Sequence, residues 1–255
     1  KMLGKNAYGF YGMAFSLARM PMEKLASIIN PVSFSMFSAI EKRDELIRNY
    51  FTILKYMSFL VFPIFCGFYW IADDIFPLLL GSKWNDSISL FKILSLVCLI
   101  QSLSTLNSPL LNAIRRPDIG VKNMLLGSFV ATIAFVIGIN WGVKGLAVSW
   151  LIFYPPVFFI YIMNISKVVG FTVIEYFLNI AHSFFNIIIM SIFISVYQNI
   201  FDHFMQDGSI QESLVLRLSG TTIVGVISYL AASFVSDRGI LSSLSLSSSR
   251  REVEP

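Results

Sequence analysis

An all-α polytopic membrane protein of about seven transmembrane helices is the fold class this sequence predicts, and three observations predict it. Seven long apolar stretches fill most of the 255 residues. Hydrophobic residues make up 56% of the chain and charged residues only 13%, roughly half the charged share of a soluble domain. The basic residues between the stretches also fall on one side when each stretch is read as a crossing. Segments 39–50, 115–123, 166–172 and 236–255 hold Lys42, Arg43, Arg48, Arg115, Arg116, Lys122, Lys167, Arg238, Arg250 and Arg251. The opposite loops, 73–86, 140–142 with the following Lys144, and 202–213, hold only Lys83 and Lys144. That asymmetry orients the bundle with a cytoplasmic C-terminus.

The crossings are expected near 8–38, 51–72, 87–110, 124–139, 143–165, 174–200 and 214–235. Each offers about 20 apolar residues for about 30 Å of hydrocarbon, although 124–139 is short. No strand alternation is visible, and in lipid only helices or closed barrels satisfy the backbone. Trp70, Trp84, Trp141 and Trp150 fall at or near outer helix ends, as an aromatic belt requires. Residues 73–86 place an apolar turn between charged ends, which predicts a short helix in the outer interface. The Ser-rich stretch 237–255 is expected to be a disordered cytoplasmic tail, leaving 1–236 as the helical lobe. Lys1 and Lys5 fall on the outer side by the alternation. This predicts that further residues precede them and that the chain is the C-terminal part of a longer protein.

The net charge of +4 belongs to short cytoplasmic loops facing an anionic leaflet, so membrane lipids and not nucleic acid are the expected partner. Cys66 and Cys98 lie within apolar stretches and read as buried thiols. His182 and His203 stand far apart and form no metal-ligand spacing. No Gly-rich phosphate loop or nucleophile elbow occurs, so neither an enzyme nor a cofactor is expected. Asp73-Asp74 is similar to the acidic pairs of membrane glycosyltransferases. With no sizeable outer loop to build an acceptor site, the pair reads instead as solvated charges capping an interfacial helix.

The first crossing departs most from a lipid-facing pattern. Arg19, Glu23 and Lys24 sit near its middle, where a charge costs at least about 2.5–3.5 kcal/mol. At 100° per residue, Ser16, Arg19, Glu23, Ser27 and Asn30 fall within about 80° of one another. Leu17, Leu25, Ile28, Val32 and Met36 take the opposite side. The polar face is expected to line a substrate cavity, with Arg19 and Lys24 available to anionic groups; a salt bridge buried between helices is the alternative. Pro21 and Pro31 are expected to interrupt this helix. Weaker polar positions are Gln101, Ser104 and Asn107 in the third crossing, and Asn179, Ser183 and Asn186 in the sixth. Either helix–helix hydrogen bonds or substrate contacts account for them. Lys55 and Lys92 lie close enough to helix ends to snorkel.

Four stretches stand out in order: Gly9-Phe-Tyr11-Gly-Met-Ala14-Phe-Ser-Leu-Ala18-Arg-Met-Pro21, Pro31-Val-Ser-Phe-Ser35-Met-Phe-Ser38, Pro77-Leu-Leu-Leu-Gly81-Ser-Lys-Trp84 and Ser108-Pro-Leu-Leu-Asn-Ala113-Ile-Arg-Arg116-Pro-Asp118. Together they resemble the polysaccharide and O-antigen flippases of the multidrug/oligosaccharidyl-lipid/polysaccharide exporter superfamily. Ile114-Arg115 departs from the pattern, which commonly has a glycine before the turn. The resemblance covers residues 9–118 and implies the C-terminal lobe of a two-lobe transporter, with an N-terminal lobe as partner. It implies export of an undecaprenyl-diphosphate-linked oligosaccharide by alternating access, in a bacterial inner membrane. It also implies a cavity whose candidate residues here are Arg19, Glu23, Lys24, Ser27, Asn30, Gln101 and Asn107. A cation-coupled multidrug exporter of the same superfamily is the nearest alternative, and a membrane glycosyltransferase or polymerase the alternative of a different class.

Overall fold

The computed structural model of the protein describes residues 5–204 and 210–236, with side chains over 8–204 and 214–235. Eight α-helices lie among the described residues: α1 (Lys5–Ser38), α2 (Arg43–Leu79), α3 (Asn85–Ser104), α4 (Asn107–Ala113), α5 (Pro117–Gly138), α6 (Gly142–Val169), α7 (Val173–Phe204) and α8 (Ile210–Ser236). The described residues contain no strand. The tail expected over 237–255 lies outside them.

Local chemistry explains where the helices begin and end. α2 opens with Asp44 and Glu45 in its first turn, where carboxylates meet the positive end of the helix dipole. α5 opens with Pro117 at its first position, and the Arg116 guanidinium donates twice to the Asp118 carboxylate, at 2.9 and 3.1 Å. α7 is entered through a reciprocal capping box. The Thr172 amide donates to Glu175 Oε2 at 2.8 Å, and the Glu175 amide donates to Thr172 Oγ1 at 3.1 Å. In the turn before α5, Arg115 takes φ +58°, the position where the sequence departs from glycine. A left-handed non-glycine residue costs roughly 1–2 kcal/mol there.

Gly170 ends α6 at φ +91°, and Arg43 donates to the freed carbonyls of Val169 and, at 3.1 Å, Val168. A Cβ on Gly170 would stand 2.3 Å from that guanidinium. Gly170→Ala is therefore expected to lower the stability of the full-length protein by about 1–3 kcal/mol through backbone strain and lost capping. Thermal unfolding in detergent reads this, with Arg43→Ala as the comparison. The two changes share one interaction, so their effects add to less than their sum.

Five stretches are long and apolar enough to cross a membrane: Arg43–Leu79, Ser82–Ala113, Pro117–Val169, Val173–Phe204 and Leu214–Val235. One of them, Pro117–Val169, holds both α5 and α6, folded back through a 3-10 turn at Ile139–Trp141. α1 is not among the five, and Arg19, Glu23 and Lys24 in its middle are the reason.

Three expectations change. The interfacial loop at 73–86 is largely helix, because α2 continues through Asp73, Asp74 and Pro77 to Leu79. Its 37 residues run about 55 Å, so its ends project beyond the hydrocarbon. α1 is one continuous helix through Pro21 and Pro31, each proline removing one donor without ending the ladder. The stretch 87–110 is instead broken at Thr105–Leu106, between α3 and α4.

Burial against neighbours gains little from the hydrophobic effect inside lipid, so close packing and helix–helix hydrogen bonds must hold the bundle. Tyr50, Leu54, Phe65, Leu94, Leu110 and Tyr176 are fully buried in one core to which α1–α7 all contribute. Tyr229, Ile194, Met190 and Cys66 form a second, smaller core where the α7–α8 hairpin docks on α2. Polar pairs cross these seams. Ser58 and Ser183 hydroxyls lie 3.1 Å apart, Asn186 donates to Ser233 at 3.0 Å, and Asn164 donates to Asn123 at 2.8 Å. Ser183 and Asn186 therefore serve helix association, one of the two roles open from the sequence.

Candidate functional site

The buried side of α1 consists of Ala14, Ala18, Met22, Ser33 and Phe37. These small and apolar side chains let the helix lie close against α3 and α4. The polar stripe sits beside that side, and no described helix covers it. Ser16, Glu23, Lys24 and Ser27 are exposed, and Arg19 and Asn30 are half-buried. Arg19 Nε lies 3.1 Å from Glu23 Oε1, with the two side chains 40% and 60% exposed. The pair is thus not the inter-helix salt bridge that the sequence left open as the alternative. The Arg19 guanidinium also stands over the Phe15 ring, 5.2 Å from its centroid. Ser27 Oγ donates to the Lys24 carbonyl at 2.8 Å, and Asn30 Oδ1 is buried without a partner. Lys24 makes no ion pair among the described residues, so its ammonium is free for an external anion.

The other two candidate residues do not join this stripe together. Gln101 on α3 lines a cavity bounded by α5 and α6. Asn107 lies beyond the break between α3 and α4, buried, and its Oδ1 accepts a hydrogen bond from the Tyr50 hydroxyl at 3.2 Å. Between them, Ser104 and the Tyr154 hydroxyl lie 3.1 Å apart. Gln101 is the member of this series with no side-chain hydrogen bond among the described residues.

A charged cluster absent from the sequence-based expectations ties the C-terminal part of α2 to the end of α7 and the start of α8. Asp74 is fully buried, and Arg217 Nη1 lies 3.2 Å from its Oδ1 while Nη2 lies 3.3 Å from Asp202 Oδ2. Asp74 Oδ2 and Arg217 Nε have no partner. Next to it, Lys92 Nζ pairs with Asp73 Oδ2 and stands 5.4 Å from the Tyr69 ring centroid, so Lys92 is committed to an ion pair. Gln198 extends the network to the Trp70 carbonyl and Thr221 Oγ1, both at 3.4 Å. Both acids of the Asp73-Asp74 pair are engaged in this network and not free in the outer interface. The signal that reveals the cluster is Arg217 itself, a lone cation within the apolar stretch 214–235 that demands a buried acid.

Residues 1–89 match the family described as polysaccharide biosynthesis protein. The chain is similar to the lipopolysaccharide biosynthesis protein WzxC of Escherichia coli (strain K12), 32% identical over 139 residues, 54% of this chain and 28% of the relative. It is similar to the teichuronic acid biosynthesis protein TuaB of Bacillus subtilis (strain 168), 25% identical over 120 residues, 47% of this chain and 25% of the relative. It also resembles an uncharacterized membrane protein in the cps region of Klebsiella pneumoniae, 30% identical over 161 residues, 60% of this chain and 32% of the relative. These matches span only 25% to 32% of the relatives' own lengths. No solved structure matches the chain. An all-helical, multi-pass bundle is thus similar, through α1–α4, to proteins of polysaccharide biosynthesis, and its first 89 residues match that family.

Proposed function

We propose that this chain is the second lobe of a transporter that moves an undecaprenyl-diphosphate-linked oligosaccharide from the inner to the outer leaflet of a bacterial inner membrane, by alternating access and without cleaving a bond. The observation behind the reading is the uncovered charged face of α1. A stripe of Ser16, Arg19, Glu23, Lys24 and Ser27 inside an apolar bundle must face water or protein, because acyl chains solvate none of it. A diphosphate and a glycan need that hydrated, basic passage, while the polyprenyl chain stays in lipid. Arg19 and Lys24 supply the cations for the diphosphate, Glu23 orients Arg19, and a first lobe facing this stripe closes the cavity. Cytoplasmic placement of the C-terminus follows the basic loops and belongs to the same proposal.

Charge-assisted contacts to phosphate contribute about 1.5–3 kcal/mol each, or roughly ten- to a hundred-fold in affinity. Arg19→Ala with Lys24→Ala in the full-length protein is therefore expected to reduce surface polysaccharide by at least about ten-fold at unchanged protein level. Quantifying polysaccharide at the cell surface and the protein in the membrane decides it. Normal export at normal protein level removes both residues from the passage.

A further inference from the structure

Between α3, α5 and α6 lies a cavity of about 260 Å³ that the diphosphate reading leaves unused. Its walls join aromatic faces to isolated polar groups: Trp150, Tyr154 and Tyr161 with Gln101 and Ser128. Trp150 and Tyr154 stack with centroids 6.2 Å apart, and Phe135 abuts the indole from the other helix at 5.6 Å. Tyr161 reaches the wall only because residue 127 is glycine; a Cβ there would stand 2.0 Å from its hydroxyl.

The Gln101 amide on the wall of this cavity has no hydrogen-bond partner among the described residues. In a lipid environment an unpaired N–H costs free energy that neither an acyl chain nor an isoprenoid can relieve. A ring that presents hydroxyls at its edge and C–H groups on its face relieves it, stacking on the aromatic walls while its oxygens accept from the Gln101 amide. No charged side chain lines the cavity, so the matching ring is neutral.

The cavity also adjoins the cationic stripe. Arg19 stands over Phe15, and the Phe15 ring lies 6.4 Å from that of Trp150. One aromatic side chain separates the proposed diphosphate position from the aromatic wall. A sugar bonded directly to that diphosphate would reach it.

We propose that this cavity is a subsite for the first, neutral sugar ring of the lipid-linked glycan, with Trp150 and Tyr154 as the stacking wall and Gln101 as the hydrogen-bonding residue. The proposal rests on the flipping reading above. The test is binding of two probes to full-length protein in nanodiscs: undecaprenyl diphosphate alone, and undecaprenyl diphosphate bearing one hexose, glucose or galactose. Wild type is expected to hold at least one hexose-bearing lipid about ten-fold more tightly than the bare lipid. Trp150→Ala and Gln101→Ala lose that increment and keep bare-lipid affinity. Trp150→Phe keeps a smaller aromatic face, so it retains part of the increment and controls for misfolding. Arg19→Ala weakens both probes. Equal wild-type affinity for bare and hexose-bearing lipids, or cavity variants that weaken both probes alike, overturns the subsite and leaves the flipping reading standing. Wild-type protein that binds neither probe overturns both.

Discussion

Arg217→Ala is expected to cost the full-length protein about 3 kcal/mol of stability and to release α8 from α2. Asp74 is fully buried, and Arg217 is its ion-pair partner. Removing one member of a buried pair leaves an uncompensated charge, at about 3–5 kcal/mol. The nearby acids Asp73 and Asp202 repel the orphaned carboxylate, and Lys92 is already committed to Asp73. The lower end of the range applies because Arg217 itself is 24% exposed and its second partner, Asp202, 58% exposed. Asp202→Ala should then change stability by no more than about 1 kcal/mol, the value of an exposed pair. Asp74→Asn combined with Arg217→Met should recover most of the loss, since it removes both charges. Thermal unfolding in detergent and protease sensitivity around α8 measure these effects. If Arg217→Ala unfolds with wild-type stability, the cluster does not hold the α7–α8 hairpin in place.

The contrast between this cluster and the α1 stripe shows what one sequence discloses. Ser16, Arg19, Glu23, Ser27 and Asn30 lie on one helix, so the 100° period alone puts them on one face. The pairing of Asp74 with Arg217 spans 143 positions and depends on how a hairpin docks. No periodicity reaches that far. Asp73-Asp74 beside Pro77 has the composition of a turn, and the packing of α2 against α3, α7 and α8 overrides that local preference. On one continuous helix Gln101, Ser104 and Asn107 would form a stripe about 120° wide. The break at Thr105–Leu106 sends Gln101 to the α5–α6 cavity and Asn107 to Tyr50. The fold class, most helices and the charged face of α1 were therefore legible, whereas contacts between distant helices were not.

Gly145→Leu is expected to part α5 from α6 and to cost at least about 2–3 kcal/mol, the scale of forcing bulk into a packed seam. The two helices meet at their reversal with backbone almost on backbone. A Cβ on Gly145 would lie 2.3 Å from the Gly138 carbonyl oxygen and 2.7 Å from Trp141 Cβ. A Cβ on Gly138 would in turn lie 2.7 Å from the Gly145 carbonyl oxygen and 2.3 Å from Ser149 Oγ, which donates to that same carbonyl at 2.8 Å. Backbone cannot rotate away as a flexible side chain does, so the helices must separate. Inside lipid, where close approach is the main source of helix association, separation forfeits the contact itself. Gly145→Ala has the smaller but same-signed effect. Gly12→Ala is the control, because nothing lies within 4 Å of the Cβ it would add, and it should be neutral or slightly stabilising. The cavity lined by Gly127, Ala134 and Trp150 lies on this same seam. On the proposed flipping function, Gly145→Leu should therefore reduce polysaccharide export more than Gly12→Ala even when both proteins reach the membrane in equal amount. Equal thermal stability of the Gly145→Leu and Gly12→Ala proteins would show that the reversal tolerates bulk and that the seam is not set by its glycines.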